Sequence, residues 1–345
     1  MTRILVLYYS QTGQLTRAAQ SMVAPLAGRA DVEIVWQNLE PVEPFPFPWG
    51  FLQFFDTFPE CVHLDPPPLR PVAFTPDAHF DLVIVAYQVW FLSPALPITA
   101  FLKSAAANVL KDTPVMTLIA CRNMWLAAQE KMKQLIAARG GRLIDNVVLT
   151  DQGPPWATFV TTPRWVLTGK KDSLWGLLPP PGVSDADIAA ASRFGRALAD
   201  ALPQVKGART PLLAGLGAVK VNPGYVAGEK IAHRSFQIWG RLLRALGRPG
   251  TPLRRAMLVV YILFLVAMIL TVLPVSMLVR ALLRPLLRWY VEPLAAEQHE
   301  AEHRVAHGDR QALAEADPFA MHEAEEREQP TGKGERSRFL QVALD

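Results

Sequence analysis

The spacing of apolar residues along the first 150 positions predicts five strands. The first apolar run is short, β-prone and continuous, as expected for a strand that is buried on both faces. The second run alternates apolar and polar residues, and strand character returns three more times. The predicted strands are residues 3–9, 31–39, 80–87, 114–121 and 142–150.

Helical spacing separates these strands. Apolar residues recur every three or four positions over 15–26, and further helices are predicted over 96–109 and 125–138. Ser184 is a good N-cap for a helix that ends near residue 202, because its hydroxyl can accept a hydrogen bond from the first helical turn. The alternation predicts an α/β fold in which helices cover both faces of a doubly wound, five-stranded parallel sheet.

Two proline- and aromatic-rich stretches interrupt this pattern. Ten prolines lie within residues 40–79, and a second such stretch covers residues 153–183. So much proline opposes a regular helix or a central strand, whereas so many aromatic side chains favour packing over a flexible linker. We therefore predict two ordered insertions in a domain of residues 1–205, the first of them a candidate lid over a pocket.

The hydrophobicity changes beyond this domain. Residues 206–256 are basic, and an amphipathic helix is predicted over 225–246. Residues 257–279 follow without a charge, and their number exceeds the ~20 residues that are needed to cross a hydrocarbon core. Pro274 would kink such a span without preventing it. A buried hydrophobic helix is the alternative interpretation.

Charge is distributed unevenly about this span. Residues up to 291 carry a balance of +11, and the remainder carries −7. The arginines before the span and the lack of a secretory signal predict that the domain faces the cytoplasm at the inner (cytoplasmic) membrane. A single-pass anchor and a re-entrant anchor with both ends in the cytoplasm are both left open. Residues 280–345 are predicted to be a basic and then acidic tail that is partly disordered.

The composition argues against several kinds of site. Cys61 and Cys121 are too few and too isolated for a disulfide framework or a zinc site. His299, His303 and His307 recur at helical spacing that can bind a divalent metal, but a solvated acidic helix is the preferred interpretation and no metal is expected. No nucleic-acid-binding module accompanies the basic residues, so nucleic acid is not an expected partner.

One loop carries the clearest chemistry. Ser10-Gln11-Thr12-Gly13-Gln14-Leu15-Thr16 joins the first predicted strand to the first predicted helix. Its three hydroxyls can donate to a phosphate, its glycine permits a tight turn, and the N–H groups of the helix N-terminus add positive potential. It lacks the lysine of the nucleoside-triphosphate P-loop and the glycine spacing of dinucleotide folds. The sequence therefore predicts a site for a bound monophosphate, with an ordinary helix cap as the alternative.

This loop resembles the phosphate loop of the flavodoxin-like FMN proteins, whose pattern is Ser/Thr-x-Thr-Gly-x-Thr with one additional residue tolerated. The resemblance covers residues 3–202 apart from the insertions and implies a flavodoxin-like fold that binds FMN. In that family the flavin ring lies between two further loops, which correspond here to Gln88-Val89-Trp90-Phe91 and Cys121-Arg122-Asn123-Met124-Trp125. The resemblance implies that Trp90 and Trp125 stack on the ring. Arg122 either contacts the flavin or the substrate, or pairs with a carboxylate.

The whole chain also resembles a narrower group, the flavodoxin-like proteins labelled dialkylresorcinol condensing enzymes, of dialkylresorcinol and aryl-polyene lipid biosynthesis. The stretches that carry this resemblance are LYYSQTGQLTR, PFPFPWGFLQFFDTFPE, YQVWFLSPALPITAFLKS and ACRNMWLAAQEKMK. Condensation by a ketosynthase needs an activated cysteine with histidine partners, and no histidine lies near Cys121 in the sequence. The role that we expect is oxidation of an alkylated cyclohexanedione to a resorcinol beside a ketosynthase partner, with flavin as the hydride acceptor.

Several functions are left open by the sequence. The leading one is a membrane-tethered FMN oxidoreductase that acts on a lipophilic cyclic substrate. The alternatives are an NAD(P)H:quinone reductase, in which NAD(P)H reduces the flavin, an electron-carrier flavodoxin without its own substrate, and a scaffold that has lost flavin. Electron carriers are usually compact and acidic, whereas this body is basic. The sequence identifies neither a catalytic base nor an oligomeric state.

Overall fold

Parallel strands form the central sheet of the computed structural model, which describes residues 1–208, 211–272 and 275. Five long strands have the order β2-β1-β3-β6-β7, and two short ones form a separate antiparallel pair. The strands are β1 (Thr2–Tyr8), β2 (Val32–Asn38), β3 (Leu82–Tyr87), β4 (Val89–Trp90), β5 (Ser93–Pro94), β6 (Pro114–Cys121) and β7 (Arg142–Thr150). All five predicted strands are present, and their order is that of the flavodoxin-like doubly wound fold. The predicted fold class is therefore confirmed.

Helices connect the strands and continue beyond the sheet. They are α1 (Gln14–Ala27), α2 (Phe51–Asp56), α3 (Phe58–Val62), α4 (Leu96–Lys103), α5 (Leu126–Ala137), α6 (Pro155–Thr168), α7 (Asp185–Ala190), α8 (Ser192–Ala201), α9 (Pro223–Ala245) and α10 (Pro252–Val272). Residues 1–264 form one compact unit, whose boundary falls within α10.

Two predicted helices are shorter than expected. The helix predicted over 96–109 ends at Lys103, because the Ser104 hydroxyl donates to the Phe101 carbonyl at 2.8 Å and satisfies the helix end; a 3₁₀ helix follows. Ser184 is confirmed as an N-cap, since its Oγ accepts from the Asp187 N–H at 3.0 Å. The helix that it begins divides before Ser192, whose hydroxyl donates back to the Ala189 carbonyl.

Hydrophobic clusters cover both faces of the sheet. Ile4 and Val6 point to the cluster that includes α1 and α8, whereas Leu5 and Leu7 point to the cluster that includes α4 and α5. Successive side chains of a strand face opposite sides, so the continuous apolar run of β1 reflects burial on both faces. This burial holds β1 in the interior of the sheet, between β2 and β3, and determines where its loop emerges.

The two insertions are ordered, but one expectation about them is wrong. Proline does not prevent helices within residues 40–79, because α2 and α3 form there and Pro59 lies in the first turn of α3, where no N–H is needed. The second insertion contains the 14-residue helix α6, which begins at Pro155 for the same reason. The insertions contact each other, since the Trp49 N–H donates to the Val166 carbonyl at 2.9 Å.

Two further helices follow the sheet domain. The amphipathic helix predicted over 225–246 is present as α9. Helix α10 has a mean hydropathy of 2.5, with 17% of its most apolar window buried, and it is long and apolar enough to cross a membrane by length and composition. It begins five residues before the predicted span at 257. The rest of that span apart from Val275, the tail 280–345 and its three histidines lie outside the described residues.

Candidate functional site

The loops after β1, β3 and β6 meet at the carboxyl edge of the sheet. β1 and β3 are neighbours, and the chain order reverses between them. In doubly wound sheets, ligands bind in the crevice at such a switch point, outside the carboxyl ends of the strands. The three loops predicted from the sequence, residues 10–16, 88–91 and 121–125, therefore all lie where this fold binds its ligands.

The first loop turns directly into α1. Gly13 has a φ of 74°, a left-handed conformation that favours glycine, and no atom would lie within 4 Å of an added Cβ. The Thr16 N–H donates to Ser10 Oγ at 3.3 Å, so the Ser10 hydroxyl acts as a local cap. Leu15 is fully buried in the core below the loop. Only its backbone N–H is therefore placed to contact a ligand.

An open cleft of about 500 Å³ lies against this loop. It is lined by Thr12, Gly13, Gln14, Thr16, Arg17, Phe47, Trp165, Gly169 and Lys171. Thr12 Oγ1 is buried and has no hydrogen-bond partner among the described residues. A buried hydroxyl without a partner costs free energy. The combination of this hydroxyl, that of Thr16 and the N-terminus of a 14-residue helix fits an anionic ligand.

Two basic side chains add positive charge to the cleft. Arg17 Nη2 is held by Asp185 Oδ1 at 2.8 Å. Lys171 comes from the second insertion, and its Nζ lies 5.4 Å from the ring centroid of Trp165. Because Lys171 is distant from the loop in sequence, the sequence analysis missed it. Its one signal was its position in the second proline- and aromatic-rich insertion, which the sequence predicts to be ordered.

The two glutamines of the loop bind the insertions. Gln11 Nε2 donates to the Pro46 carbonyl, and Gln11 Oε1 accepts from the indole of Trp49, both at 2.9 Å. Gln14 exchanges two hydrogen bonds of 3.0 Å with the backbone of Val183. Both side chains thus hold the insertions against the loop, and Gln14 remains part of the cleft wall.

The second loop carries backbone strain and an aromatic cluster. Phe91 and its neighbour Leu92 have φ values of 49° and 57°, which non-glycine residues rarely adopt. The ring of Trp90 makes edge contacts with those of Tyr9 and Trp49. Gln88 Oε1 is buried without a partner among the described residues, and Val89 pairs with Pro94. The ring-stacking role of Trp90 stays a prediction.

The third loop is packed on both sides. Trp125 is buried in the core cluster under α5. Arg122 Nε donates to Thr158 Oγ1 at 2.8 Å, its guanidinium lies 3.9 Å from the Phe159 ring centroid, and no carboxylate of the described chain forms an ion pair with it. Burial raises the pKa of Cys121, which disfavours the thiolate that a nucleophile would need. Asn123 and Met124 complete the loop, the latter with a φ of 54°.

Helix α9 contributes a residue that the sequence analysis missed. Glu229 Oε1 accepts from the Ala127 N–H at 2.6 Å, at the N-terminus of α5, where a carboxylate is favoured by the helix dipole. Its Oε2 is buried and unpartnered among the described residues, and burial raises the pKa of Glu229. The sequence signal was slight: it is the single acidic residue of α9. Glu229 positions the loop 121–125 through α5.

A half-buried lysine lies beside the second loop. Lys131 Nζ donates to Ser93 Oγ at 2.8 Å and to the Val62 carbonyl at 3.0 Å. Burial lowers the pKa of Lys131 to about 8, and the buried thiol of Cys61 lies close enough to oppose this shift. The folded chain therefore releases this proton at lower pH than the unfolded chain does.

This difference predicts a pH-dependent stability. An unfolded lysine titrates near ~10.4, so between about pH 8 and that value the unfolded chain binds more protons, and stability rises with pH. We expect the free energy of unfolding of the wild type, minus that of Lys131→Met, to be constant below about pH 8 and to increase above it. Urea unfolding of both proteins in detergent, at pH values below and above about 8, measures this difference in the free energy of unfolding. Lys133→Met, which removes an exposed lysine of the same helix, is the control, and a difference that falls with pH would contradict the assignment.

Comparisons with known proteins add the following. No family model matches the chain. No curated protein matches it in sequence. Solved structures do: a flavoprotein from Lactobacillus acidophilus NCFM in complex with FMN is 19% identical over 43% of this chain and 93% of its own, with a TM-score of 0.35.

Other solved structures give similar values. A flavodoxin from the domain Archaea is 10% identical, covers 59% of this chain and 99% of its own, and has a TM-score of 0.32. An apo NADH:FMN oxidoreductase is 16% identical, covers 57% of this chain and 89% of its own, and has a TM-score of 0.30. Because identities and TM-scores are this low, the fold class rests on the strand order of this chain.

Proposed function

We propose that this protein is an FMN-dependent oxidoreductase that is attached to a membrane and acts on a lipophilic cyclic substrate. The observation that carries the FMN assignment is the buried hydroxyl of Thr12, which has no partner among the described residues and belongs to a residue that lines the open cleft at the N-terminus of α1. A phosphate oxygen supplies the acceptor that this hydroxyl lacks. The resemblance of the loop to FMN phosphate loops points to the same group.

The residues of the cleft fit a phosphate monoester. Thr12 and Thr16 would donate their hydroxyls, the N–H groups after Gly13 would donate along the helix axis, and Arg17 and Lys171 would balance the charge. FMN, when bound, supplies a hydride acceptor. Phe47 and Trp165, whose ring centroids are 6.3 Å apart, would exclude water from the phosphate end of the site. These residues hold and orient the group.

The substrate is proposed from the surroundings of the site. Aromatic rings from the first insertion pack against Trp90, at the loop that would flank the flavin. The apolar helix α10 follows the same domain and would bring it to lipid-soluble molecules. An alkylated cyclohexanedione, oxidised to a resorcinol by loss of a hydride and a proton, fits this setting and the resemblance to the dialkylresorcinol group. A ketosynthase would supply such a dione.

The visible spectrum of the detergent-purified protein is the first test. A yellow protein, or a colourless one that FMN reconstitutes, supports the assignment, whereas a protein that cannot bind FMN refutes it. Anaerobic bleaching by an alkylcyclohexanedione alone supports dehydrogenation of the dione. Bleaching by NADPH, with reoxidation by a quinone, supports the quinone reductase instead. Bleaching by neither leaves the electron carrier as the favoured function.

Thr12→Val tests the phosphate site directly. A hydrogen bond to a charged group contributes about 1.5–3 kcal/mol, so we expect FMN to bind about 10- to 100-fold more weakly. The apo protein should be as stable as the wild type, because valine removes a buried hydroxyl that has no partner among the described residues. Fluorescence titration and thermal unfolding measure the two effects. Thr75→Val, at an exposed turn, is the matched control, and equal affinities for both variants would refute the site.

A further inference from the structure

Helix α9 has an apolar stripe that no described part of the chain covers. One face packs on the domain: Leu243 is fully buried, and the Phe236 ring lies 5.8 Å from that of Phe58. On the opposite face, Ile231 and Ile238 are each 66% exposed, and Leu242 is 41% exposed. A helix surrounded by water would carry polar side chains on that face.

The stripe is narrow and bordered by positive charge. At about 100° per residue, Ile231, Ile238 and Leu242 fall within about 40° of each other around the helix. Exposed basic side chains lie beside the stripe, and none forms an ion pair with a carboxylate of the described chain; they are Lys230, Arg234 and Arg241. An apolar stripe with a basic border is typical of helices that lie in a membrane interface.

The first half of α10 is bound to the same domain. Leu258 and Tyr261 are buried, Tyr261 stacks on Phe58 with ring centroids 4.5 Å apart, and Phe264 contacts Trp239 at 5.2 Å. The outward side of this half is apolar and exposed, for example at Leu263. The charge-free segment therefore begins inside the domain instead of after it.

The length of that segment places the bilayer against α9. If the membrane began beyond residue 264, the charge-free residues 265–279 would span only about 22 Å at 1.5 Å per residue. A hydrocarbon core is about 30 Å thick. If α10 crosses the bilayer, the acyl region therefore reaches the half of α10 that packs on the domain, and Trp239 of α9 touches that half.

We propose that α9 lies in the plane of the membrane interface, with Ile231, Ile238 and Leu242 at the acyl boundary. The Lys230, Arg234 and Arg241 side chains contact the phosphates of anionic headgroups. The occupant of this face is a lipid bilayer. The proposal shares with the proposed function only its membrane attachment and is independent of flavin. Helix α9 also carries Glu229, which binds the N-terminus of α5 next to the loop 121–125. The proposal therefore places the bilayer near that loop.

Lipid contact can be measured on the full chain. The Ile238→Cys variant is labelled with bimane and reconstituted in vesicles of phosphatidylcholine and phosphatidylglycerol at about 3:1. Quenching of the bimane fluorescence by doxyl-labelled lipid then reports contact with lipid. The control is the same label on Arg196→Cys, at an exposed position of α8. Label on the wild-type cysteines, of which Cys61 is buried and Cys121 is partly buried, is subtracted. We expect about threefold stronger quenching at position 238 than at 196. Equal quenching overturns the proposal, and so does a label at 238 that is shielded from both lipid and aqueous quenchers, because a protein would then cover the stripe.

The basic border has its own test. In the chain labelled at Ile238→Cys, the combined changes Lys230→Gln, Arg234→Gln and Arg241→Gln should abolish the increase in lipid quenching that phosphatidylglycerol produces over phosphatidylcholine alone. Replacing Lys133, Arg193 and Arg196 with glutamine removes three charges that are exposed on other helices and should leave that increase intact. An increase that survives the first set of changes refutes the headgroup contact. FMN binding, read from the visible spectrum, is measured separately.

Discussion

Replacing Arg254 with alanine is expected to lower the free energy of unfolding by about 3–5 kcal/mol. Arg254 is 1% exposed, and its guanidinium lies 2.6 Å from Asp56 Oδ1 and 2.6 Å from Glu60 Oε2. Alanine would leave two carboxylates in a buried site without their cation. These two ion pairs join the first turn of α10 to α2 and α3, so their loss should also loosen the first insertion. Chemical denaturation in detergent measures the change.

The neighbouring arginine provides the control. Arg255 is exposed, and Arg255→Ala should change the free energy of unfolding by no more than about 0.5 kcal/mol. Combining Arg254→Met with Asp56→Asn and Glu60→Gln should recover most of the loss, because replacing a whole buried ionic group with uncharged side chains is often close to neutral. Equal stability of the two single alanine variants would contradict the role of Arg254.

Gly195→Ala is expected to destabilise the domain by about 3 kcal/mol. A Cβ at this position in α8 would lie 1.8 Å from the Met22 carbonyl oxygen of α1. The obstacle is backbone, so α1 and α8 would have to move apart, and α1 is the helix that begins at the phosphate loop. We therefore expect weaker FMN binding as a secondary effect. Thermal unfolding of the apo protein and FMN titration measure both.

Gly28→Ala separates this clash from the general effect of removing a glycine. Gly28 follows α1 with a φ of −85°, and no atom would lie within 4 Å of its added Cβ. Alanine there should leave the stability unchanged or raise it slightly, because it restricts the unfolded chain. If Gly195→Ala and Gly28→Ala both unfold at the same temperature as the wild type, the close approach of α1 and α8 does not require a glycine at position 195.

Short-range patterns explain what the sequence predicted correctly. The strands of the sheet depend on runs of four to eight apolar residues, and the turn at Gly13 depends on one residue's conformational freedom. The N-cap at Ser184 likewise involves a partner three residues away. The position of the three loops at one edge follows from the parallel order of the strands. The fold class, and the position of the loop 10–16 at the carboxyl edge of the sheet, were therefore determined by the sequence alone, whereas phosphate binding by this loop stays a prediction.

Contacts between distant residues decided the rest. Lys171 reaches the cleft and Glu229 reaches α5 through packing of elements that lie over 100 residues from the residues they join, and no local period encodes such a meeting. Arg254 is a further example. In the sequence it is one of several arginines before an apolar span, but in the structure it is buried between two carboxylates. A hydropathy average describes a segment alone and carries no information about the elements that pack against it in the folded chain. Only the tertiary structure shows that the first half of α10 belongs to the domain, and that the exposed stripe of α9 lies beside it.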